Sequence, residues 1–505
     1  MLEPSLEGAC LPEKDLRLQY SGFIVFAAKL LSVATGLVFQ FMVARATSLA
    51  EYDLWFNIND ISAYFTLLAG VLPFWTMRFV ARGKEGSVKT GVVSNLIVSM
   101  VAALVYVPLV PLITSILGVS ENYVFLYLLM AVQIIEIHSI GVFEACLQAK
   151  VPRTIGYGLL IQQVGKVVLG YALIVWLGHP LLGAVVATMA GFFLQSIYYV
   201  KLLAEELRAR IRWGYVKEWL KGSAANVYNL AGNQLANFVF IMLFANRDAR
   251  GTYGAAFQVV NVVTYASFLA FAMYPKLLAE RNREDVATSL KMVLMFTIPM
   301  TAGAIVLSDL YIAILKPEYA GAGSVLTVLA VDAFIMVMSG VFSAVLYGME
   351  TLDEDSRISF RQLAKSRMFL AFSLPYVHSA IAIPTVYYML TTYAQNLPFQ
   401  AALYVGVINA SARLTTFIIL LAIVRKMVKI SFPWKATAKY LLASGCMSVF
   451  LFLVPHISRI STTLLITGVG GLIYVAVLAT IDKEARTLPR TMLKEIRNRK
   501  QNQKM

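Results

Sequence analysis

Lys29 stands alone as a charge in the otherwise uncharged run from Tyr20 to Ala44, where an ammonium group is useful only if it meets an anion or water. At a bilayer centre a lysine costs about 2.5–3.5 kcal/mol on insertion scales, so such a residue faces a bundle interior or a wet cavity. Gly22, Lys29, Ser32, Gly36 and Gln40 return to one helix face by steps of three, four and seven. Asn226, Asn229, Asn233 and Asn237 repeat that pattern later in the chain, with Gln234 beside them. Ammonium and guanidinium groups bind phosphate-type anions through charge-assisted hydrogen bonds. Amides exchange hydrogen bonds with hydroxyls, although they also join transmembrane helices to one another. Other polar residues in apolar surroundings are Asn57, Asp60, Gln133, Glu136, Glu144, Gln162, Gln163, Lys166, Asn409 and Arg413. The set points to a hydrated cavity lined by Lys29, Gln40, Asn57, Gln163, Lys166, Asn226, Asn229, Asn233, Asn237, Asn409 and Arg413. Asp60 and Glu136 are the carboxylates placed to bind H+ or Na+ and couple it to conformation. The competing structural account is internal ion pairing, for instance Lys166 with Glu136.

The elements that hold these residues are long apolar segments. About fourteen stretches of about 20 residues recur almost end to end, each long enough to cross a bilayer. They fall near 20–44, 54–77, 91–117, 123–148, 156–178, 181–203, 223–245, 252–275, 289–314, 322–348, 368–393, 401–424, 438–456 and 462–481. The chain of 505 residues is 59% hydrophobic and 14% charged, against about 25% charged in a typical soluble domain. An all-α polytopic integral membrane protein is therefore expected. The net charge of +15 does not indicate nucleic acid, because most of the Lys and Arg collect in alternate connections, as cytoplasmic loops do. That bias places both termini in the cytoplasm of a multi-pass cell-membrane protein, with a basic tail after 482. The polar start of the chain carries no apparent signal peptide. Cys10, Cys146 and Cys446 have neither the parity nor the spacing of a disulfide framework or metal site. No Walker sequence supports direct ATP drive, and no metal or cofactor is expected.

The two halves repeat. Gly141-Val142-Phe143-x-Ala145-x-Leu147 in the fourth stretch matches Gly340-Val341-Phe342-x-Ala344-x-Leu346 in the tenth. Tyr52 with Tyr253, Pro73 with Pro275, and Ile116-Leu117 with Ile314-Leu315 share that offset of about 200 residues, the mark of a duplication. The expected organisation is a cytoplasmic segment at 1–19, a six-helix lobe at 20–204, a basic cytoplasmic linker at 205–222 and a second six-helix lobe at 223–425. Two additional helices at 426–481 and a basic tail at 482–505 complete it. Six crossings per repeat give both lobes the same orientation, related by an axis along the membrane normal, with a cleft between them.

Ala44-Arg45 followed by Glu51-Tyr52, then Lys316-Pro317-Glu318-Tyr319-Ala320 and the segment from Ala322 to Ala330, resemble motifs of the multidrug, oligosaccharidyl-lipid and polysaccharide exporter superfamily, especially its polysaccharide-type flippases. Thr47-Ser48 and Asp53 depart from the usual pattern. The resemblance implies a two-bundle transporter that alternates access to a central, often cationic cavity and moves lipid-linked oligosaccharide or polysaccharide precursors from the cytoplasmic to the outer leaflet. Its implied partners are a lipid-linked sugar, membrane lipid, a coupling H+ or Na+, and glycosyltransferases or a polymerase, with no nucleic acid. Two alternatives stay open. An ion-coupled multidrug or small-solute exporter of the same superfamily would be expected to carry a carboxylate in the first span, where this chain has Lys29. A membrane glycosyltransferase could use Glu51 and Asp53 as a metal-binding pair, but it would be expected to carry a larger extracytoplasmic region. The expected assignment is therefore a transporter rather than an enzyme.

Overall fold

The structure is a computed structural model that describes residues 18–242, 247–315, 322–352, 359–394, 397–428, 430–455, 459–482 and 485–486. Cys10, the Lys316–Ala320 motif and most of the basic tail lie outside the described residues, as do the side chains of Tyr52 and Asp53. Among the described residues the chain is helical without strands. In order, the helices are α1 (Leu18–Ala46), α2 (Leu49–Phe65), α3 (Val71–Ala81), α4 (Ser87–Ile116), α5 (Glu121–Lys150), α6 (Arg153–Gly170), α7 (Pro180–Leu202), α8 (Trp213–Met242) and α9 (Arg247–Thr264). There follow α10 (Met273–Glu280), α11 (Arg283–Val306), α12 (Ser308–Leu315), α13 (Gly323–Met349), α14 (Phe360–Ala364), α15 (Arg367–Thr392), α16 (Pro398–Met427), α17 (Trp434–Leu453) and α18 (Ile460–Ile481).

Twelve of the described helical segments are long and apolar enough to cross a membrane, and the bent pair across α2 and α3, at 48°, adds one more. The seventh expected stretch is α8, whose asparagines leave it too polar to pass the same test. It also begins at Trp213, inside the stretch expected to be a linker. The reason is local packing: Tyr215 and Trp219 lie edge-on to Phe79 at 5.2 and 5.4 Å, and Gly222 lies against the Trp75 ring. These aromatic contacts draw the first turns of α8 onto α3.

The bend between α2 and α3 has a chemical cause. Proline lacks the N–H that would bond four residues back, so Pro73 leaves the Ala69 carbonyl without its helical donor. The chain passes through a 3-10 turn at Leu67–Gly70 before α3 resumes. Gly141 of the repeated motif packs against that carbonyl, where a Cβ would stand 3.2 Å from the Ala69 oxygen. The matching proline, Pro275, also follows a 3-10 segment, Tyr265–Ala270, at the break between α9 and α10. A further irregularity is the π-helical end of the fifth span at Tyr171–Trp176.

The Cα trace separates into two compact units, the first running to Ser223 and the second holding most of the chain from Ala224 onward. Helices α17 and α18 belong to the second unit. There, Tyr474 donates to the Met295 carbonyl at 2.6 Å, Tyr311 and Thr467 share a hydrogen bond at 2.9 Å, and Lys439 pairs with Asp482 at 3.0 Å. Large apolar side chains such as Leu104, Ile116, Phe452 and Leu472 are exposed, as expected of helices solvated by lipid tails.

Candidate functional site

In the first unit the polar residues gather around a carboxylate. Glu144 on α5 accepts hydrogen bonds at Oε1 from Gln195 Nε2 and Tyr199 OH on α7, each 3.1 Å, and Gln195 also donates to the Tyr199 hydroxyl at 2.9 Å. Lys29 on α1 is half-buried and within electrostatic range of this carboxylate. Glycines on α6 make the approach feasible: Gly156 lies against the Ile24 backbone of α1, and a Cβ on Gly158 would overlap the Tyr199 ring. Sequence reasoning missed Gln195 and Tyr199. A tyrosine and a glutamine one turn apart near the end of an apolar span were the available signal.

The remaining predicted residues of this unit are spread along α1, α2, α5 and α6. Thr35 on α1 donates to Gln163 Oε1 on α6 at 3.4 Å, and Lys166 Nζ lies 5.0 Å from the centre of the Phe39 ring. Tyr127 donates to Asn57 Oδ1 at 2.6 Å, binding α5 to α2. Gln40 and Asp60 are exposed. Glu136 Oε2 is buried without a hydrogen-bond partner among the described residues. The ion pair expected between Lys166 and Glu136 is not formed among the described residues: Lys166 turns to an aromatic face, and Lys29 has Glu144 as its nearby carboxylate.

In the second unit Arg413 and Asn409 meet a residue the sequence reading passed over. Asp332 on α13 accepts from Arg413 Nε at 2.6 Å and from Asn409 Nδ2 at 3.2 Å. Its side chain is 7% exposed, against 27% for Arg413. His378 on α15 and Tyr253 on α9 lie within electrostatic range of the pair, and both are buried. A lone aspartate in the apolar run of α13 was itself the sequence signal, because a carboxylate there demands a partner.

Along α8, Asn229 donates to the Phe372 carbonyl at 3.1 Å, and Asn233 donates to the Asn229 carbonyl at 3.0 Å. Tyr228 stacks between Tyr376 and Phe369, at 4.4 and 5.1 Å. Asn226 has a buried Oδ1 without a partner among the described residues, while Asn233, Gln234 and Asn237 are exposed. One end of the stripe therefore joins α15, and the other presents amides at the surface. A second polar stripe, missed in the sequence, runs along α9. Arg250 and Gln258 are exposed and Asn261 is partly so, while Tyr253, Ala256, Val260 and Val263 on the opposite face are buried.

Outside the spans, Glu51 caps α2. Its Oε2 accepts from the Ser48 amide at 2.9 Å and the Ser48 hydroxyl at 3.0 Å, Oε1 accepts from Tyr123 at 3.1 Å, and the Glu51 amide donates to Ser48 Oγ at 3.3 Å. These bonds, led by the one from the Ser48 amide, hold its carboxyl below the usual glutamate value. Oε2 is occupied by the helix cap and Oε1 by Tyr123 of α5, a structural use of a residue weighed above as a metal ligand.

Comparison with known proteins is informative at the level of fold. No protein-family model matches the chain, and no curated protein does either. Solved structures do. A MATE in the bent conformation aligns with a TM-score of 0.62 at 16% identity over 85% of this chain and 97% of its own. An outward-facing multidrug resistance MATE family transporter of the MOP superfamily gives 0.62 at 14% identity, over 82% of this chain and 98% of its own. A MOP superfamily transporter from Pyrococcus furiosus, whose binding pocket is described as having reverse polarity that suggests a different function, gives 0.64 at 15%, over 82% and 98%. The chain is a polytopic all-α membrane protein with the MATE fold, the fold of transporters described as members of the MOP superfamily.

Proposed function

We propose that the chain is a membrane transporter that moves lipid-linked oligosaccharide or polysaccharide precursors from the cytoplasmic to the outer leaflet by alternating access. The observation that carries this reading is the polarity of the first span, where Lys29 is the charged residue and no carboxylate accompanies it on α1. A sugar head group crossing hydrocarbon would give up hydroxyl hydrogen bonds at about 2–7 kcal/mol each. Surface amides at Asn233, Gln234 and Asn237 could replace some of those bonds, and the cations at Lys29 and Lys166 suit a phosphate or diphosphate linker. Solved structures of this fold are described as bent and as outward-facing, which fits a protein that changes conformation. In this reading both termini are cytoplasmic, Glu136 is the better placed candidate for a coupling H+ or Na+, and glycosyltransferases or a polymerase act beside it.

Export of organic cations is the second reading, favoured by the multidrug resistance description of one structure with this fold. Reconstitution separates the two. Vesicles containing the protein should translocate a fluorescent lipid-diphosphate sugar and leave an ethidium-type cation untransported. Transport of the cation without the lipid-linked sugar would overturn the flippase reading in favour of the exporter.

A further inference from the structure

We infer that Arg413 is an oxyanion-binding residue of the second unit, positioned by Asp332 and Asn409 so that its Nη1 and Nη2 groups take a phosphate or diphosphate group. The inference rests on the reading of the cargo as a lipid-linked sugar and adds a contact for its linker. Arg413 is the one charged residue in the largely apolar run from Ala401 to Val424 and stands at its centre. About 17 Å of helix lies on either side of it at 1.5 Å per residue, further than an arginine side chain reaches toward a head group. A guanidinium carries five N–H donors in a fixed fork. Among the described residues Arg413 uses the Nε donor alone, which reaches Asp332 Oδ1 at 2.6 Å, and Nη1 and Nη2 make no hydrogen bond. Neither Nη group is sealed, and the side chain keeps 27% of its surface accessible. Bare donors in hydrocarbon are costly, so the Nη edge must meet water or an acceptor.

Asn409 explains why that edge is left open. It lies one turn before Arg413 on α16, and its Nδ2 donates to Asp332 Oδ2 at 3.2 Å. With its second oxygen engaged, the aspartate holds the guanidinium by Nε instead of by a two-bond fork. A lysine would not serve, because its ammonium is a point charge, whereas a guanidinium can rest on one anion through Nε and offer the parallel donors of its Nη edge to another. Two oxygens of a tetrahedral phosphate match those donors. The carboxylate behind the base tempers the attraction, which suits a cargo that must be released.

The test is binding of radiolabelled farnesyl diphosphate and of inorganic pyrophosphate to the full chain in nanodiscs, with the thermal midpoint as a check on folding. Arg413→Lys keeps the charge and loses the forked edge, so affinity should fall about tenfold. Asn409→Ala frees Asp332 Oδ2 to compete for an Nη group and should weaken binding about threefold. In an Arg413→Lys background the Asn409 change should have no further effect, a coupling that a merely structural role would not produce. If Arg413→Lys does not fold, Arg413→Met with Asp332→Asn carries the test, since it removes both charges together, and it should bind at background. A response with farnesyl diphosphate alone assigns the site to a lipid diphosphate, and the same response with pyrophosphate assigns it to the diphosphate group from either source. Wild-type affinity in folded Arg413→Lys or in the folded double variant would overturn the site, as would failure of the wild-type protein to bind either probe. An equal loss for Asn409→Ala in both backgrounds would overturn its positioning role. Translocation of the lipid-diphosphate sugar by the wild-type protein, measured in vesicles, decides the cargo reading separately from any of these outcomes.

Discussion

Each unit carries an acid on its fourth span with hydrogen-bond donors on other helices, yet the two acids differ in burial and in the donors that reach them. In the second unit Asp332 takes Arg413 and Asn409 directly, and the aspartate is almost sealed from solvent. In the first unit Glu144 accepts from the neutral donors Gln195 and Tyr199 of α7. The repeated glycine differs as well: Gly141 touches the carbonyl freed by Pro73, whereas a Cβ on Gly340 would meet nothing within 4 Å. The two units thus seat a carboxylate among helices in different ways, one with a guanidinium in direct contact and the other with neutral donors.

The sharpest way to break this contrast is to remove each base. Arg413→Ala strands Asp332 with Asn409 alone and should cost on the order of 3 kcal/mol, as breaking buried ion pairs does. Folded yield and thermal midpoint in detergent report it, and Arg413→Met with Asp332→Asn should recover much of the loss. If Arg413→Ala unfolds at the wild-type temperature, the pair does not stabilise the second unit. Next in size is Gly158→Ala, which pushes a methyl into the buried Tyr199 ring and should cost about 1–3 kcal/mol, the usual range for overpacking. The thermal midpoint measures that too, and a Tyr199→Phe background should soften the clash by removing the hydroxyl.

Lys29→Ala should be milder in stability, about 1 kcal/mol, because Glu144 keeps two hydrogen bonds. Translocation should nonetheless be lost when normalised to folded protein, and Lys29→Arg should restore part of it, since charge persists with altered geometry. Equal losses of stability in Lys29→Ala and Arg413→Ala would erase the distinction between the two units.

The helical plan was legible because hydrophobic length is a strong physical constraint and each crossing satisfies its own backbone. Pro73 and Pro275 were read only as matched positions of a repeat, although each follows a 3-10 break in its span. Partner choice was less legible. Arg413 was visible as a charge in a span, but its partner lies 81 residues away in sequence, and no local period connects α13 to α16. Glu144 was visible as a carboxylate in a span, but its donors Gln195 and Tyr199 lie on α7, where Tyr199 fits because Gly158 has no side chain. The α9 stripe escaped notice because Arg250, Gln258 and Asn261 are diluted by small residues. Helix α8 begins ahead of the expected span because hydropathy marks where a helix enters hydrocarbon, while aromatic packing on α3 decides where the helix begins.

The smallest expected effect lies at the cap of α2, where the first unit offers a helix start that can be tested outside the membrane. Ser48 and Glu51 bond reciprocally, and Ser48→Ala should cost about 0.5 kcal/mol, the low end for an N-cap, since the site is exposed. Because the hydrogen bonds hold the Glu51 carboxyl below its ordinary value of 4.5, its contribution is present above that value and is lost as pH falls through the lower folded-state value. Hydrogen exchange at the first turn of α2, corrected for the intrinsic rate at each pH, should therefore show protection at neutral pH that declines in acid below 4.5. Glu51→Gln should show weaker protection that does not change with pH, and Tyr123→Phe should move the decline toward higher pH by removing a donor that favours the carboxylate. Translocation at neutral pH should survive all three substitutions, because the cap stabilises a helix end and takes no part in holding Lys29. If Ser48→Ala instead abolished transport while α2 kept its exchange protection, this end of α2 would belong to the transport machinery.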